Sequence, residues 1–396
     1  MKKELLYLPM IIILLCSFTN SDDDILNKTA QKLSLMKTLE YNVTDCLHQD
    51  VTNTDNIDSA LCYFDFTSKD SLIGAKYYYQ STSDDKKSTL VFNGSQTFYS
   101  DDKEKRILYR NQPRIKDVTS NLCYSQSICW IRKILPQFIN DPANKNIRLN
   151  DTIINNRECF RFQLSPNKYI ELNGIGSVEL RGPNNVMKYY LAISKDDSLP
   201  VQFTRIFPTI QYEITTFSRL KFPVQNISDS IWNYENFPKD FLRMPEEEYY
   251  EKLRNKVAQT TGRIAPDWEL PVLNGGSVKL SDLKGNLVLL EFWFPYCGAC
   301  LQAIPDINDI QQKYGSKGLK VFGIEFQQRG NKGLTNYIKK HNIKYPTLYN
   351  GKEVSTAYGA TSGPTIILTG KDRKIIYVSS RFDKAALMKV IDEHIK

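Results

Sequence analysis

The sequence has few histidines: His48, His341 and His394 are the only three among 396 residues, and they lie far apart in the chain. Because zinc and non-haem iron sites draw on clusters of histidine and cysteine, we expect neither a metal centre nor an organic cofactor. The sequence also lacks a block of five or six consecutive basic residues, as a nucleic-acid-binding arm would show. We therefore interpret the formal net charge of +8 as a solvated surface and expect no nucleic-acid partner.

Cysteine is scarce as well, with 8 residues, which excludes a small scaffold held together by disulfides. No apolar run reaches the ~20 residues that a permanent membrane-spanning helix needs. The hydrophobic fraction of 41% and the charged fraction of 24% are those of an ordinary globular protein. A chain of 396 residues with this composition predicts two or three folded domains.

The N-terminus has the pattern of a secretory signal. Lys2 and Lys3 precede an apolar run from Leu5 to Phe18, and polar residues follow it. We predict a signal peptide over residues 1–21 and export to the cell envelope or periplasm. Cys16 lies where a bacterial lipoprotein carries its lipid-modified cysteine, but Leu15 before it is bulkier than that signal favours. A lipid anchor, which would be the protein's only contact with a membrane, is left open.

The remaining chain divides by its hydrophobic pattern. From about residue 35 to 235, short runs alternate apolar and polar residues between turn clusters, which predicts a β-rich α+β domain with a large, curved, mostly antiparallel sheet and a helix near Ile128–Ile139. Beyond residue 262, strands alternate with helices, which predicts an α/β domain. The predicted divisions are 1–21 for the signal peptide, 22–255 for the β-rich domain, 256–261 for the linker and 262–396 for the C-terminal domain.

The C-terminal domain contains two cysteines at a C-x-x-C spacing. The apolar run Leu287–Phe294 predicts a buried strand that leads into Cys297 and Cys300, and a helical pattern follows. At the start of a helix the first thiol faces the positive end of the helix dipole, which stabilises a thiolate. We therefore predict that Cys297 attacks disulfides and that Cys300 resolves the mixed disulfide. A zinc knuckle would need a second such pair, which this part of the sequence lacks; an inert buried pair is the other alternative.

Residues 262–396 resemble the TlpA/ResA group of envelope thiol–disulfide oxidoreductases. The order of strand, C-x-x-C motif and helix is similar, and Pro305 lies where the active-site helix of this group is kinked. The segment Ser362–Thr365 resembles the cis-proline segment of the group, which faces the cysteines.

This resemblance implies a thioredoxin fold and a redox-active disulfide in place of a cofactor. It implies exchange of electrons with disulfides of other envelope proteins, as a reductase, and an upstream thiol–disulfide donor that is membrane-bound or soluble. The positions expected to contact substrate are Gly363, Pro364, Thr365, Tyr296 and Trp293.

A carboxyl interrupts the apolar run before the motif. Glu291 lies six residues before Cys297, where thioredoxins hold a buried acid, so we expect a raised pKa and a role in proton exchange with the thiols. A glutamate that reaches the sheet edge or pairs with a lysine is the alternative. Glu325, which ends the run VFGIEF, is expected to be an exposed strand-end residue, with a second acid near the site as its alternative.

The motif also departs from its relatives. Gly298 and Ala299 replace the proline-containing pair of reducing thioredoxins, Tyr296 replaces tryptophan, and Ala303 replaces the ResA-type glutamate. The redox potential is therefore not predictable from the resemblance. A peroxiredoxin is excluded, because its Thr and Pro three and seven residues before the reactive cysteine are here Phe294 and Leu290.

The N-terminal region offers further cysteines. Cys46 and Cys62 flank a turn that we place near Thr54, so they could face each other across a hairpin, and this position permits a disulfide without requiring one. Structural bridges and internal thiols that exchange with Cys297 are both open for the others. These others are Cys123, Cys129 and Cys159.

In strand rhythm alone, the β-rich region resembles the half-barrel domains of lipoprotein-sorting proteins. This suggests a second class of function, a ligand- or partner-binding envelope protein whose redox domain is accessory. Apolar residues that line a deep concavity would favour this reading, and a packed interior would oppose it.

Overall fold

A computed structural model describes residues 21–49, 54–68, 72–83, 87–119, 121, 124–125, 127–166, 188–207, 211–225, 227–295, 297–327, 331 and 333–395. The predicted signal peptide and the Cys16 anchor lie outside the described residues, apart from Ser21. Among the described helices, none combines the length and the apolar composition of a membrane-spanning helix.

The N-terminal region forms a twelve-stranded sheet. Its strands follow the order β12-β6-β5-β4-β3-β2-β1-β11-β10-β9-β8-β7, and all described pairs are antiparallel except β12 with β6. The bounds are β1 Thr38–Gln49, β2 Thr54–Asp65, β3 Lys76–Ser81, β4 Ser88–Phe92, β5 Gln96–Asp101, β6 Arg106–Asn111, β7 Lys145–Ile154, β8 Arg157–Ser165, β9 Lys188–Ser194, β10 Pro200–Phe207, β11 Gln211–Lys221 and β12 Leu242–Pro245. The prediction of a large, mostly antiparallel sheet is confirmed.

Three helices accompany this sheet: α1 Ser21–Ser34, α2 Ile115–Thr119 and α3 Ile128–Asn140. One apolar core joins α1 and α3 to side chains from β1–β4 and from β8–β11. These eight strands would extend over roughly 34 Å if the sheet were flat, whereas two helices side by side cover about 20 Å. The sheet must therefore curve around the helices.

The interior of this curved sheet is packed. On α3, Trp130 contacts the rings of Tyr189 and Phe203 at centroid distances of 6.0 and 5.2 Å, and Phe138 contacts Tyr189 at 5.8 Å. All four of these rings are at most 4% exposed. The two helices occupy the space in which a half-barrel would hold an apolar ligand, and this packing opposes the ligand-binding reading.

Helix α4, Glu246–Ala258, connects the two sheets. It follows directly after β12, contacts β6 of the N-terminal sheet and contacts β19, Ile375–Ser379, of the C-terminal sheet. Three glutamates occupy its first turn, where the helix dipole favours negative charge. The predicted boundary between residues 255 and 256 falls inside this helix, and the predicted linker 256–261 begins in its last turn.

The C-terminal domain has a five-stranded mixed sheet in the order β17-β16-β15-β18-β19, with helices between its strands. This arrangement is the predicted thioredoxin fold. The central strand β15 is buried along its whole length, as an apolar strand covered on both faces must be. The bounds are β13 Glu269–Pro271, β14 Ser277–Lys279, β15 Leu287–Trp293, α5 Gly298–Tyr314, β16 Leu319–Glu325, α6 Leu334–Lys340, β17 Thr347–Leu348, α7 Lys352–Tyr358, β18 Thr365–Thr369, β19 Ile375–Ser379 and α8 Lys384–His394.

Cys46 and Cys62 do not face each other. In the β1–β2 register Cys46 lies opposite Ile57 and Cys62 lies opposite Tyr41, so the disulfide that the hairpin position permitted is not formed. The described free cysteines are Cys46, Cys62, Cys129 and Cys159, and Cys123 lies outside the described residues. Burial raises the pKa of both Cys62 and Cys129 to about 12, so neither thiol forms the thiolate that exchange with Cys297 requires.

We predict that alkylation follows this burial. At pH 8 iodoacetamide should modify Cys46 slowly in the native protein, because burial and nearby aspartates raise the pKa of its thiol, and should reach Cys62 and Cys129 only after unfolding. Peptide mapping by mass spectrometry measures each site. If Cys46 and Cys62 resist alkylation in unfolded protein until a reductant is added, the two residues are bridged and the register described here is incorrect.

Candidate active site

The site lies where β15 ends and α5 begins. Cys297 is the N-cap residue of α5, and it forms a disulfide with Cys300 in the first turn of the helix, with the two Cα atoms 5.2 Å apart. The apolar strand thus delivers the motif to the positive end of a seventeen-residue helix. The helix continues through Pro305, as the sequence suggested.

The two sulfurs have different surroundings. The backbone N–H of Cys300 donates a hydrogen bond to Sγ of Cys297 at 3.2 Å. A donor in this position stabilises negative charge on Cys297, and the helix dipole acts in the same direction. Cys297 is 6% exposed and Cys300 is 2% exposed. Both differences favour Cys297 as the attacking thiolate and Cys300 as the resolving thiol.

The Gly363–Pro364 segment packs against the disulfide. The peptide bond between these residues is cis, and a Cβ atom added to Gly363 would lie 2.9 Å from Sγ of Cys300 and 3.3 Å from Sγ of Cys297. Only glycine permits so close an approach. Pro364 is buried, and Thr365 donates a side-chain hydrogen bond to the carbonyl oxygen of Ser362 at 2.7 Å. Gly363 is therefore one of the predicted residues that lie close to the sulfurs, and Thr365 holds the turn.

Of the residues expected to contact substrate, one is buried in the core and another lies outside the described residues. Trp293 is 2% exposed and stacks on Tyr337 at a centroid distance of 5.6 Å, so the prediction that it contacts substrate is wrong. It is the last residue of β15, which is covered on both faces, and its ring therefore turns into the core. Tyr296 lies outside the described residues.

Glu291 is buried in the middle of β15, as predicted. It is 1% exposed, and the hydroxyl of Tyr345 donates a hydrogen bond to its Oε2 atom at 2.5 Å. Within the described part of the chain, its Oε1 atom has no hydrogen-bond partner. Burial raises the pKa of Glu291 to about 7, while the Tyr345 hydrogen bond lowers it. A carboxyl that titrates near pH 7 is suited to exchange protons at neutral pH.

Tyr345 is a site residue that sequence reasoning missed. It lies 54 residues after Glu291 and is 3% exposed. The sequence contained only indirect signs of this contact. A carboxyl inside an apolar strand needs a hydrogen-bond donor. Tyr345 precedes Pro346, which favours an extended backbone at Tyr345. Nothing local to the C-x-x-C motif pointed to it.

The expectation that Glu325 is exposed is wrong. This residue is 0% exposed, and the backbone N–H of Gln327 donates to its Oε1 atom at 2.8 Å. In the parallel β15–β16 register it lies beside Trp293, the residue that precedes the active-site loop. Burial continues to Phe326, one residue beyond the strand, because the sheet is still covered there. The alternative reading of Glu325, an acid near the site, agrees with this placement.

Comparison with known proteins extends this description of the C-terminal part. Residues 261–378 match the AhpC/TSA family. Thiol-disulfide oxidoreductase ResA of Bacillus thuringiensis is 31% identical over 116 residues, which is 29% of this chain and 66% of ResA. Thioredoxin-like protein YneN of Bacillus subtilis is 31% identical over 114 residues, 28% of this chain and 66% of YneN.

The C-terminal domain is a thioredoxin-like domain homologous to ResA. The chain spans slightly less than two thirds of the length of these curated relatives. Among solved structures, the thioredoxin domain of a thiol-disulfide oxidoreductase from Bacteroides vulgatus is 27% identical, with a TM-score of 0.30, and the match covers 33% of this chain and 96% of that one. The family match and the homology to ResA confirm the resemblance inferred from the C-x-x-C motif.

We predict that the Glu291–Tyr345 pair controls the pH dependence of disulfide exchange. The rate at which the reduced protein reduces a disulfide should show an inflection near pH 7 in addition to that of Cys297. Glu291→Gln should remove this inflection and lower the rate about tenfold or more. Tyr345→Phe should move the inflection to higher pH, because the hydrogen bond that lowers the pKa of Glu291 is lost. Stopped-flow rates between pH 5 and pH 9 measure both.

The free energy of unfolding provides an independent test of the Glu291–Tyr345 pair. The pKa of Glu291 is raised in the folded state, so its ionisation destabilises the native protein as the pH rises from 4.5 towards 7. Glu291→Gln should therefore be more stable than the wild type at pH 8, by about 3 kcal/mol, and equally stable near pH 4. Urea unfolding at the two pH values measures the difference. Equal stability at pH 8 would contradict a buried, titrating Glu291.

Proposed function

We propose that this protein is an exported thiol–disulfide oxidoreductase that reduces disulfides of other cell-envelope proteins. The observation that carries the proposal is the Cys297–Cys300 disulfide at the start of α5, which the Gly363 backbone approaches closely. The strand that leads to this disulfide also carries the buried Glu291. Homology of this domain to ResA supports the same class of reaction.

The proposed reaction is a dithiol–disulfide exchange in two steps. In the reduced protein the Cys297 thiolate attacks one sulfur of the client disulfide, forming a mixed disulfide and releasing a client thiolate, which takes up a proton. Cys300 then loses its proton towards Glu291, and its thiolate attacks Sγ of Cys297. The second client sulfur leaves and is protonated. The client gains two electrons and two protons, and the protein becomes the Cys297–Cys300 disulfide.

An upstream thiol–disulfide donor, soluble or membrane-bound, would return the protein to its dithiol state. The client proteins would be disulfide-containing proteins of the envelope. The alternative of a ligand-binding protein with an accessory redox domain is less well supported, because α1 and α3 fill the interior of the N-terminal sheet. Binding of a partner protein at the surface is compatible with the oxidoreductase function.

The reduction potential of the Cys297/Cys300 couple tests the proposal. The mature chain is equilibrated in glutathione buffers, and alkylation of the two cysteines is followed by mass. A reductase should have a potential near about −270 mV, whereas a value near about −120 mV would indicate an oxidant of folding proteins and overturn the direction proposed here. A Cys300→Ser variant should accumulate mixed disulfides with clients through Cys297, and Cys297→Ser should not.

Export is tested at the N-terminus of the protein made in a bacterial host. If residues 1–21 are a cleaved signal peptide, the intact mass of the recovered protein corresponds to a chain that starts near Asp22. A chain that starts at Cys16 and carries acyl groups would show the lipid anchor instead. Recovery of an uncleaved chain from the cytoplasm would contradict export.

A further inference from the structure

A groove lies beside the Gly363–Pro364 segment, where the two sheets and α4 meet. Its cavity of about 560 Å³ is within the range of ligand-binding clefts. One wall comes from the N-terminal sheet at Arg106, and α4 contributes Tyr249 and Tyr250. The opposite wall contains Ser362 and Thr365, the residues on either side of Gly363–Pro364. The groove therefore begins next to the backbone that contacts the disulfide.

The groove continues away from the disulfide. A second cavity of about 570 Å³ shares Tyr250, Ser380 and Arg381 with the first and extends to Arg110 and Arg114 of the N-terminal domain. The two cavities form one channel along the junction of the domains. Both cavities are open to solvent, as the binding of an extended polypeptide segment requires.

Most of the charged side chains that line the channel are basic. Three of them pair with carboxylates: Arg106 with Asp101, Arg110 with Glu246 and Arg114 with Asp117. The basic side chains of the channel outnumber its acidic ones, Glu104 and Glu247. Among the described residues, Lys352 and Arg381 have no carboxylate within 4.0 Å, and both are exposed. The basic residues are Arg106, Arg110, Arg114, Lys352 and Arg381.

The other arginines of the channel are held in place by pairing. Arg106 lies 3.4 Å from a carboxylate oxygen of Asp101, and its guanidinium stacks on the Tyr249 ring at 4.7 Å from the centroid. Arg110 pairs with Glu246 at 3.2 Å. These contacts brace α4 against the N-terminal sheet, so the free cations on the opposite wall face a fixed surface.

The side of the channel formed by α4 is partly apolar. Tyr249 and Tyr250 pack edge to face at a centroid distance of 5.5 Å, and Tyr250 is 47% exposed. Leu253 and Val257 extend this surface along the helix. A rigid aromatic surface next to unpaired cations offers contact area together with a preference for charge.

We propose that this channel binds an extended acidic segment of the client protein, next to the cysteine that Cys297 attacks. The inference rests on the proposed function and adds its specificity: Lys352 and Arg381 select acidic residues, and α4 supplies the apolar contact. Because the channel starts at Ser362, a segment bound there is continuous with the peptide that meets Gly363–Pro364. The N-terminal domain thereby acts as a client-recognition wall.

The test uses the full mature chain and two synthetic peptides that contain the same disulfide. In one peptide aspartates flank the disulfide, and in the other lysines take their place. The reduced wild type should reduce the acidic peptide about tenfold faster than the basic one at low salt, and this ratio should fall towards one at about 0.5 M salt, as screening predicts.

Variants that remove positive charge test whether the channel causes the preference for the acidic peptide. The double variant Lys352→Gln/Arg381→Gln should lower the acidic-to-basic ratio to about threefold or less at low salt. The matched control is Lys320→Gln/Lys389→Gln, which changes net charge equally at two exposed lysines of the same domain outside the channel lining. This control should keep the wild-type ratio. Because each ratio is measured within one variant, a general change in reactivity cancels.

Binding without reaction separates the two proposals. Peptides with serine in place of cysteine are labelled, and their binding to the oxidised protein is measured by fluorescence anisotropy. Acid preference in binding without reduction of either disulfide peptide would overturn the proposed function and retain the channel. Reduction of both peptides at equal rates with equal binding would overturn the channel and retain the oxidoreductase. An equal loss of preference in the control variant would also overturn it, by showing that net charge alone acts.

Discussion

The contact between the Gly363 backbone and the active-site disulfide constrains the rest of the C-terminal domain. A side chain at Gly363 would press within 2.9 Å of a sulfur, so the chain must pass here without one. The contact requires α5 to begin immediately after β15 and requires β18 to pair with β15 in the register that sets Phe292 opposite Thr365. The central strand, the active-site helix and the Gly363–Pro364 turn therefore position one another, and a shift in any of them opens the site.

Burial of β15 determines the pKa of Glu291 as well as the position of the active-site motif. A strand covered on both faces removes water from every side chain it carries, and Glu291 is therefore penalised when charged. The Tyr345 hydrogen bond offsets part of that penalty and leaves the pKa of Glu291 at about 7. Without the donor the carboxyl would hold its proton at neutral pH, and with full solvation it would hold none. A buried acid with one donor is the arrangement that both releases and accepts a proton there.

Local patterns predicted the parts of the site that are close in sequence. The apolar run before the motif and the C-x-x-C spacing placed their residues correctly, because strand burial and helix starts follow from neighbouring residues. The Ser362–Thr365 segment was placed beside the cysteines by resemblance to the TlpA/ResA group and not by a local pattern. The register of the strands and the contacts between residues distant in sequence did not follow from local patterns. The Cys46–Cys62 pairing failed because alternation identifies strands but leaves the position of a turn open by several residues. Tyr345 and the burial of Glu325 depend on which strands become neighbours, and Trp293 was misplaced because period-two patterns vanish in a fully buried strand.

Because the interior of the N-terminal sheet is packed, the surface of this domain is the part that other molecules can reach. Since α1 and α3 fill the concave side, the edge formed by β6, β12 and α4 is where this domain meets the redox domain. Specificity needs such an added surface, because the two active-site cysteines are 6% and 2% exposed and offer a client little area of their own. Backbone contacts at the Gly363–Pro364 turn do not distinguish one client side chain from another. In the proposed channel, the unpaired cations Lys352 and Arg381 and the aromatic surface of α4 would make a general thiol–disulfide exchange site selective among clients.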